Sequence, residues 1–74
     1  MSIVIFSTPN CGQCVASKMF FKRKNLEFTE VDLSTNPDEL KRLQDLGFSQ
    51  APVIEANGER WSGFRPDKIQ QLVG

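Results

Sequence analysis

The chain has 74 residues, with nine basic and nine acidic side chains, two cysteines and no histidine. Zero formal charge argues against nucleic acid as the main partner, and no apolar run approaches the ~20 residues that cross a bilayer. A chain this short has room for one domain, residues 1–74, with a small core. Small domains often lean on a metal or several disulfides. Here the one possible bridge closes too short a loop to restrain the unfolded chain much, so the fold must rest on packed apolar faces and the cysteines are free for chemistry. The opening residues, Met1 to Phe6, carry no basic n-region and no small-residue cleavage site. They read as a strand, and a cytoplasmic setting, where thiols are ordinarily reduced, is expected.

Ile3-Val4-Ile5-Phe6 is a short continuous apolar run of the kind buried on both faces of a sheet. Thr8-Pro9-Asn10 ends it, with Asn10 a candidate helix cap. From Cys11 to about Asn25 the pattern is helical. Val15, Ala16, Met19 and Phe20 are expected on the buried face, Phe21 only at the core's edge, and Lys18, Lys22, Arg23 and Lys24 toward solvent or the C-terminal end. Phe28 to Leu33 alternates like a half-exposed edge strand.

Ser34 to Glu39 supplies cap residues, a proline and first-turn acids for a second helix. Leu40, Leu43 and Leu46 are its expected buried stripe, and Gly47 its terminator. Pro52 to Ala56 and Glu59 to Ser62 flank Asn57-Gly58, the signature of a hairpin with a type I′ turn. Pro66 opens a last helix with Ile69, Leu72 and Val73 inward. The order β-α-β-α-β-β-α gives an α/β fold. A β-α-β crossover makes its first two strands parallel, and the hairpin completes a mixed four-stranded sheet. Chemistry in such sheets sits beyond the carboxyl ends of the parallel strands, where Cys11 falls.

Cys11-Gly12-Gln13-Cys14 follows a strand and opens a helix. A helix start stabilises negative charge, and the thiolate is the reactive form of cysteine. Cys11, the earlier and more exposed residue, is expected to attack; Cys14, one turn further in, is expected to be buried and to resolve the mixed disulfide. Three other readings are open to a CxxC pair. A zinc site needs four ligands and the chain supplies two, so only an intermolecular site would serve. Inert core cysteines sit poorly beside a helix cap, and a structural bridge is disfavoured by the short loop. Two further segments bear on recognition. Gln50-Ala51-Pro52 is a strand-entry proline or, beside such a CxxC, a cis proline that frees the backbone of Ala51 to pair with an extended substrate. Trp61-Ser62-Gly63-Phe64-Arg65 is either core and cover or a protein-contact rim.

With these elements in order the chain resembles the thioredoxin superfamily, and within it the glutaredoxin-like NrdH-type redoxins. The resemblance rests on Cys11–Cys14, on Gly47-Phe48-Ser49-Gln50-Ala51-Pro52-Val53 and on Trp61-Ser62-Gly63-Phe64-Arg65-Pro66-Asp67. It implies a glutaredoxin-like fold with Cys11 and Cys14 as the redox pair and Pro52 as a cis proline. Gly12, Gln13, Gln50, Ala51 and the Trp61–Arg65 segment would contact the partner. It further implies electrons drawn from NADPH through thioredoxin reductase, with no cofactor or metal bound to the chain itself, and delivered to the large subunit of a class Ib ribonucleotide reductase. A monomer is expected. Gly12 stands where that family commonly has valine, and Ser7-Thr8-Pro9-Asn10 lacks the cation that related redoxins often carry there. A glutathione-dependent glutaredoxin is the alternative enzyme, although the glycine pair of its carboxylate cradle is broken at Ser62-Gly63-Phe64-Arg65. A redox-sensing or metal-bridged CxxC binding module is the alternative outside catalysis.

Overall fold

The computed structural model describes residues 3–72. Seven elements follow the expected order: β1 (Ile3–Ser7), α1 (Gly12–Arg23), β2 (Thr29–Asp32), α2 (Pro37–Asp45), β3 (Val53–Ala56), β4 (Glu59–Ser62) and α3 (Pro66–Leu72). The strands lie in the order β2-β1-β3-β4. β1 is parallel to β2 with Phe6 opposite Val31, and antiparallel to β3 with Phe6 opposite Val53. The hairpin turns at Asn57 and Gly58, both at positive φ (52° and 78°), as a type I′ turn requires. Among the described residues no helix is long and apolar enough to cross a membrane.

Alternation along β1 and β3 splits the core in two. Ile3, Ile5, Ile54, Ala56 and Trp61 join Phe21 of α1 and Ile69 of α3 on one face. Phe6 and Val53 meet Leu43 of α2 and Leu33 on the other. The sheet is therefore covered on both sides, which is why β1 and β3 read as apolar runs while the edge strand β2 is exposed at Thr29 and Glu30.

Both longer helices end in a Schellman motif. At α1 the Leu26 N–H donates to the Phe21 carbonyl (2.9 Å) and the Asn25 N–H to that of Lys22 (3.1 Å), with Asn25 left-handed at φ 59°. At α2 the Phe48 N–H donates to the Leu43 carbonyl (2.9 Å) and the Gly47 N–H to that of Gln44 (3.0 Å), with Gly47 at φ 97°.

The face that α1 buries is not the expected one. Cys14, Ser17 and Phe21 point into the core, whereas Val15 and Met19 are 50% and 61% exposed. Apolar side chains are spread around this helix, so periodicity alone does not choose a face. The choice is made by Phe21, fully buried and 5.4 Å centroid to centroid from Phe28, and by the need to seat Cys14 beneath its partner. Ser17 rides into the core with them, its hydroxyl without a hydrogen-bond partner among the described residues. α2 likewise buries Leu43 alone, while Leu40 and Leu46 lie at its exposed margins; a nine-residue helix on one sheet face has only a narrow line of contact. The cap of α1 is Cys11 and not Asn10, which takes the left-handed turn before it at φ 60°. Of the inward residues expected in α3, Ile69 is buried and Leu72 packs against the core, while Val73 lies outside the described residues.

Removing the Phe21 ring should leave a cavity between α1 and the sheet. Phe21→Ala is expected to cost about 3–5 kcal/mol, and Met19→Ala no more than about 0.5 kcal/mol. Chemical denaturation of the two variants checks this; equal losses would contradict the placement of α1.

Candidate active site

β1 delivers the chain to the cysteines. After Ser7, the Thr8-Pro9-Asn10 turn brings Cys11 to the N-cap of α1 in extended conformation (φ −106°, ψ 108°). Its sulfur accepts a hydrogen bond from the Cys14 N–H at 3.1 Å, and its carbonyl accepts from the Val15 N–H at 3.1 Å. An otherwise unpaired first-turn N–H is thus aimed at the sulfur on which negative charge would develop, and the helix dipole points the same way. Cys11 and Cys14 are joined in a disulfide with Cα atoms 5.2 Å apart. Cys11 is partly exposed and Cys14 is 1% exposed, so an incoming sulfur reaches the first and not the second.

Between them, Gly12 and Gln13 are exposed. A Cβ built on Gly12 meets nothing within 4 Å, so packing does not require glycine there.

The antiparallel register brings the two recognition segments to this end of the sheet. Phe6 pairs with Val53, and Val53 with Ser62, so Pro52 and Gly63 stand beside the end of β1 that leads to Cys11. The Ala51–Pro52 bond is cis. Pro52 is buried, Ala51 half-buried and Gln50 exposed. The Gly63 N–H donates to the Pro52 carbonyl at 2.8 Å, which ties the two segments together. Gly63 is at φ 84°, and a Cβ there would lie 3.5 Å from Gln13 Oε1. The glycine therefore brings this loop against the CxxC turn in a backbone conformation that other residues rarely adopt.

The Trp61–Arg65 segment is not a uniform rim. Trp61 belongs to the core, 6% exposed, because its position in β4 faces Phe21 and Ile69. Phe64 is half-buried and packs edge-on against Phe20 at 5.9 Å, joining α1 to the start of α3. Ser62 and Arg65 are exposed. The Arg65 guanidinium is occupied by Asp67, with Nε and Nη2 donating to its two carboxylate oxygens at 3.2 and 3.1 Å. This pairing holds the Asp67 carboxyl below its ordinary range.

A polar cluster joining residues from three elements lies on the opposite flank. A cleft of about 680 Å³ opens beside Cys11 and Cys14, walled by Thr8, Pro9, Val15, Lys18, Glu30 and Asp32. One oxygen of Glu30 accepts from Lys18 Nζ at 2.7 Å and from the buried Ser7 hydroxyl at 2.8 Å. α1 thus contributes a lysine to this cleft, its ammonium held by Glu30. Lys18, on the solvent side by the helical pattern, is drawn to the cleft by Glu30. It lies four residues after Cys14 and seven after Cys11, and that helical spacing was the available signal. Asp32 sits lower than usual because the Ser34 hydroxyl and backbone N–H both donate to it.

A surface sulfur bridged to a buried one at a helix start, flanked by a cis proline on a doubly covered mixed sheet, defines a thiol-disulfide oxidoreductase of thioredoxin-like architecture. The glutaredoxin family model matches residues 3–61. The chain is 43% identical to the glutaredoxin-like protein NrdH of Salmonella typhimurium over 97% of this chain and 89% of that protein. It is 30% identical to the NrdH protein of Lactococcus lactis subsp. cremoris over 96% of this chain and 99% of the relative. The solved structure of the Escherichia coli NrdH-redoxin superimposes with a TM-score of 0.95 at 36% identity, covering 97% of this chain and 95% of that one. The chain belongs to the glutaredoxin family and, within it, to the NrdH-type redoxins.

The Lys18 hydrogen bond, with that of Ser7 next, lowers the Glu30 carboxyl below its ordinary 4.5. A carboxyl depressed in the folded state stabilises the fold above its unfolded pKa, and that contribution is lost as pH falls through the folded value. Glu30→Gln should therefore lower stability at neutral pH and make no difference in strong acid. The pair is partly exposed (27% and 41%), so the loss should stay below about 1 kcal/mol. Denaturation at neutral and acidic pH checks it; a gap that widens in acid would reverse the assignment.

Proposed function

We propose that this redoxin carries electrons from an NADPH-dependent thioredoxin reductase to the large subunit of a class Ib ribonucleotide reductase. The observation that carries the reading is the pairing of a reachable Cys11 sulfur, hydrogen-bonded by a first-turn N–H, with a buried Cys14. The E. coli relative is described as having a thioredoxin-like activity profile, and the relatives' shared NrdH name supports the same direction.

The exchange runs in two steps. The Cys11 thiolate attacks one sulfur of the target disulfide; a Cys11–target S–S bond forms, the target S–S bond breaks and the other target sulfur leaves as thiolate. Cys14 then loses its proton and attacks the Cys11 sulfur. The Cys11–Cys14 bond forms, the target's attached sulfur departs as thiolate, and two electrons have passed to the target. The proton lost by Cys14 and the one released when Cys11 ionised neutralise the two target thiolates. The reductase reverses the sequence by attacking the Cys11 sulfur. During exchange the Ala51 backbone, beside the cis Pro52, pairs with the extended target segment, and Gln13, Gln50 and the exposed Ser62 contact it. NADPH serves only through the reductase, and no cofactor or metal is needed on the chain. We place the protein in the cytoplasm as a monomer.

Two coupled assays with a disulfide substrate separate the electron donors. Turnover is expected with NADPH and thioredoxin reductase; turnover only with glutathione and glutathione reductase would assign the chain to glutathione-dependent chemistry instead. Cys14→Ser is expected to accumulate a mixed disulfide on Cys11, read by mass spectrometry. If Cys11→Ser accumulates it on Cys14, the two roles are reversed.

A further inference from the structure

The rotation of α1 that buries Cys14, Ser17 and Phe21 leaves another row of side chains in water. Cys11, Val15, Met19 and Arg23 follow at four-residue intervals and so form one ridge along the helix. Val15 and Met19 are 50% and 61% exposed, and Val15 also walls the cleft that opens on Cys11. Single exposed apolar side chains are ordinary, but two in one row beginning at a redox sulfur extend the reactive surface.

The far end of the ridge is basic. Lys22 and Arg23 are exposed and, among the described residues, take part in no ion pair. Lys18 is held by Glu30, and Lys24 lies 5.4 Å from the Phe20 ring centroid. α1 itself contains no acidic residue. Cations near a helix C-terminus suit its dipole, but the dipole does not account for the apolar row leading to them. From Cys11 to Arg23 the helix rises about 18 Å, a span that an extended polypeptide covers in about five or six residues.

We propose that this ridge docks a segment of the protein disulfide that the redoxin reduces. The segment has an apolar side chain close to its reacting cysteine, seated on Val15 and Met19, and carboxylates about five or six residues from that cysteine, facing Lys22 and Arg23. The ridge thus selects acidic-ended, apolar-anchored cysteine segments. The proposal rests on the reading that Cys11 attacks protein disulfides; docking adds no chemical step to that exchange.

Three synthetic peptides test it, each carrying one disulfide and the same apolar residue, with glutamates, glutamines or lysines at the distal positions. The KM of the glutamate peptide is expected to be about tenfold below that of the glutamine peptide at low salt, with the gap closing as salt is raised. The double variant Lys22→Glu/Arg23→Glu should reverse the preference toward the lysine peptide. Met19→Ser should raise KM for the glutamate and glutamine peptides alike, by about threefold, with little change in kcat. Equal KM values for the glutamate and glutamine peptides, or a preference that survives charge reversal, would overturn the proposal. A dimer in sedimentation that Met19→Ser abolishes would assign the ridge to a second copy of the chain and overturn it as well. Reduction of a small uncharged disulfide by the wild type is a separate readout, because its failure would remove the oxidoreductase reading itself.

Discussion

The seating of α1 on the sheet decides most of what this protein presents to its surroundings. Two side chains set it, Cys14 and Phe21, and they fix the rotation of the helix about its axis, carrying Ser17 inward between them. That one angle buries the second sulfur while leaving the first in reach. It turns Lys18 toward Glu30 on the edge strand and sends Val15 and Met19 into solvent. A helix rotated to bury Val15 and Met19 instead would carry Phe21 into water and Cys14 with it. The order of reactivity in the dithiol thus follows from a packing choice made two turns away, at a phenylalanine ring.

The other face of the sheet holds the frame on which that seat depends. Arg42 of α2 lies over the Phe6 ring, 5.6 Å from its centroid, and reaches Glu39 and Glu55 at 3.0 and 2.9 Å. Arg60 of β4 approaches the same Glu55 oxygen at 3.3 Å. Each of these partly exposed pairs contributes little alone, but together they lay a charged lid over a small apolar layer. Burial of Phe6, Leu43 and Val53 beneath it supplies the larger share, about 1.5–3 kcal/mol per side chain. β1, paired on both edges and covered on both faces, is the fixed element, and the cysteine loop is attached to its end.

Much of this could be read in the sequence wherever local chemistry was decisive. Gly47 and Asn57-Gly58 marked their turns and termini because each stands in a left-handed backbone state that few residues tolerate, and Pro37 marked a helix start, where its missing N–H is not needed. The alternation of Phe28 to Leu33 located an edge strand. The CxxC pair and the cis proline came from spacing together with family likeness. What the sequence did not reveal depends on tertiary contact. A helix with apolar residues on all sides does not announce which side it buries, so by pattern Phe21 falls at the core's edge and Val15 within it. Trp61 read equally well as rim or core until β4 found its face. The Ser7–Glu30–Lys18 cluster joins three elements distant in sequence, and only the sheet brings them together.

Gly12 occupies an unusual place in this arrangement. With Gln13 it separates the two cysteines, yet among the described residues nothing beyond its own helix and chain neighbours crowds the space where its Cβ would stand. A residue substituted there alters the immediate surroundings of the dithiol while leaving the packed layers untouched. The position beside the reactive sulfur is therefore open to substitution without a compensating change in the core.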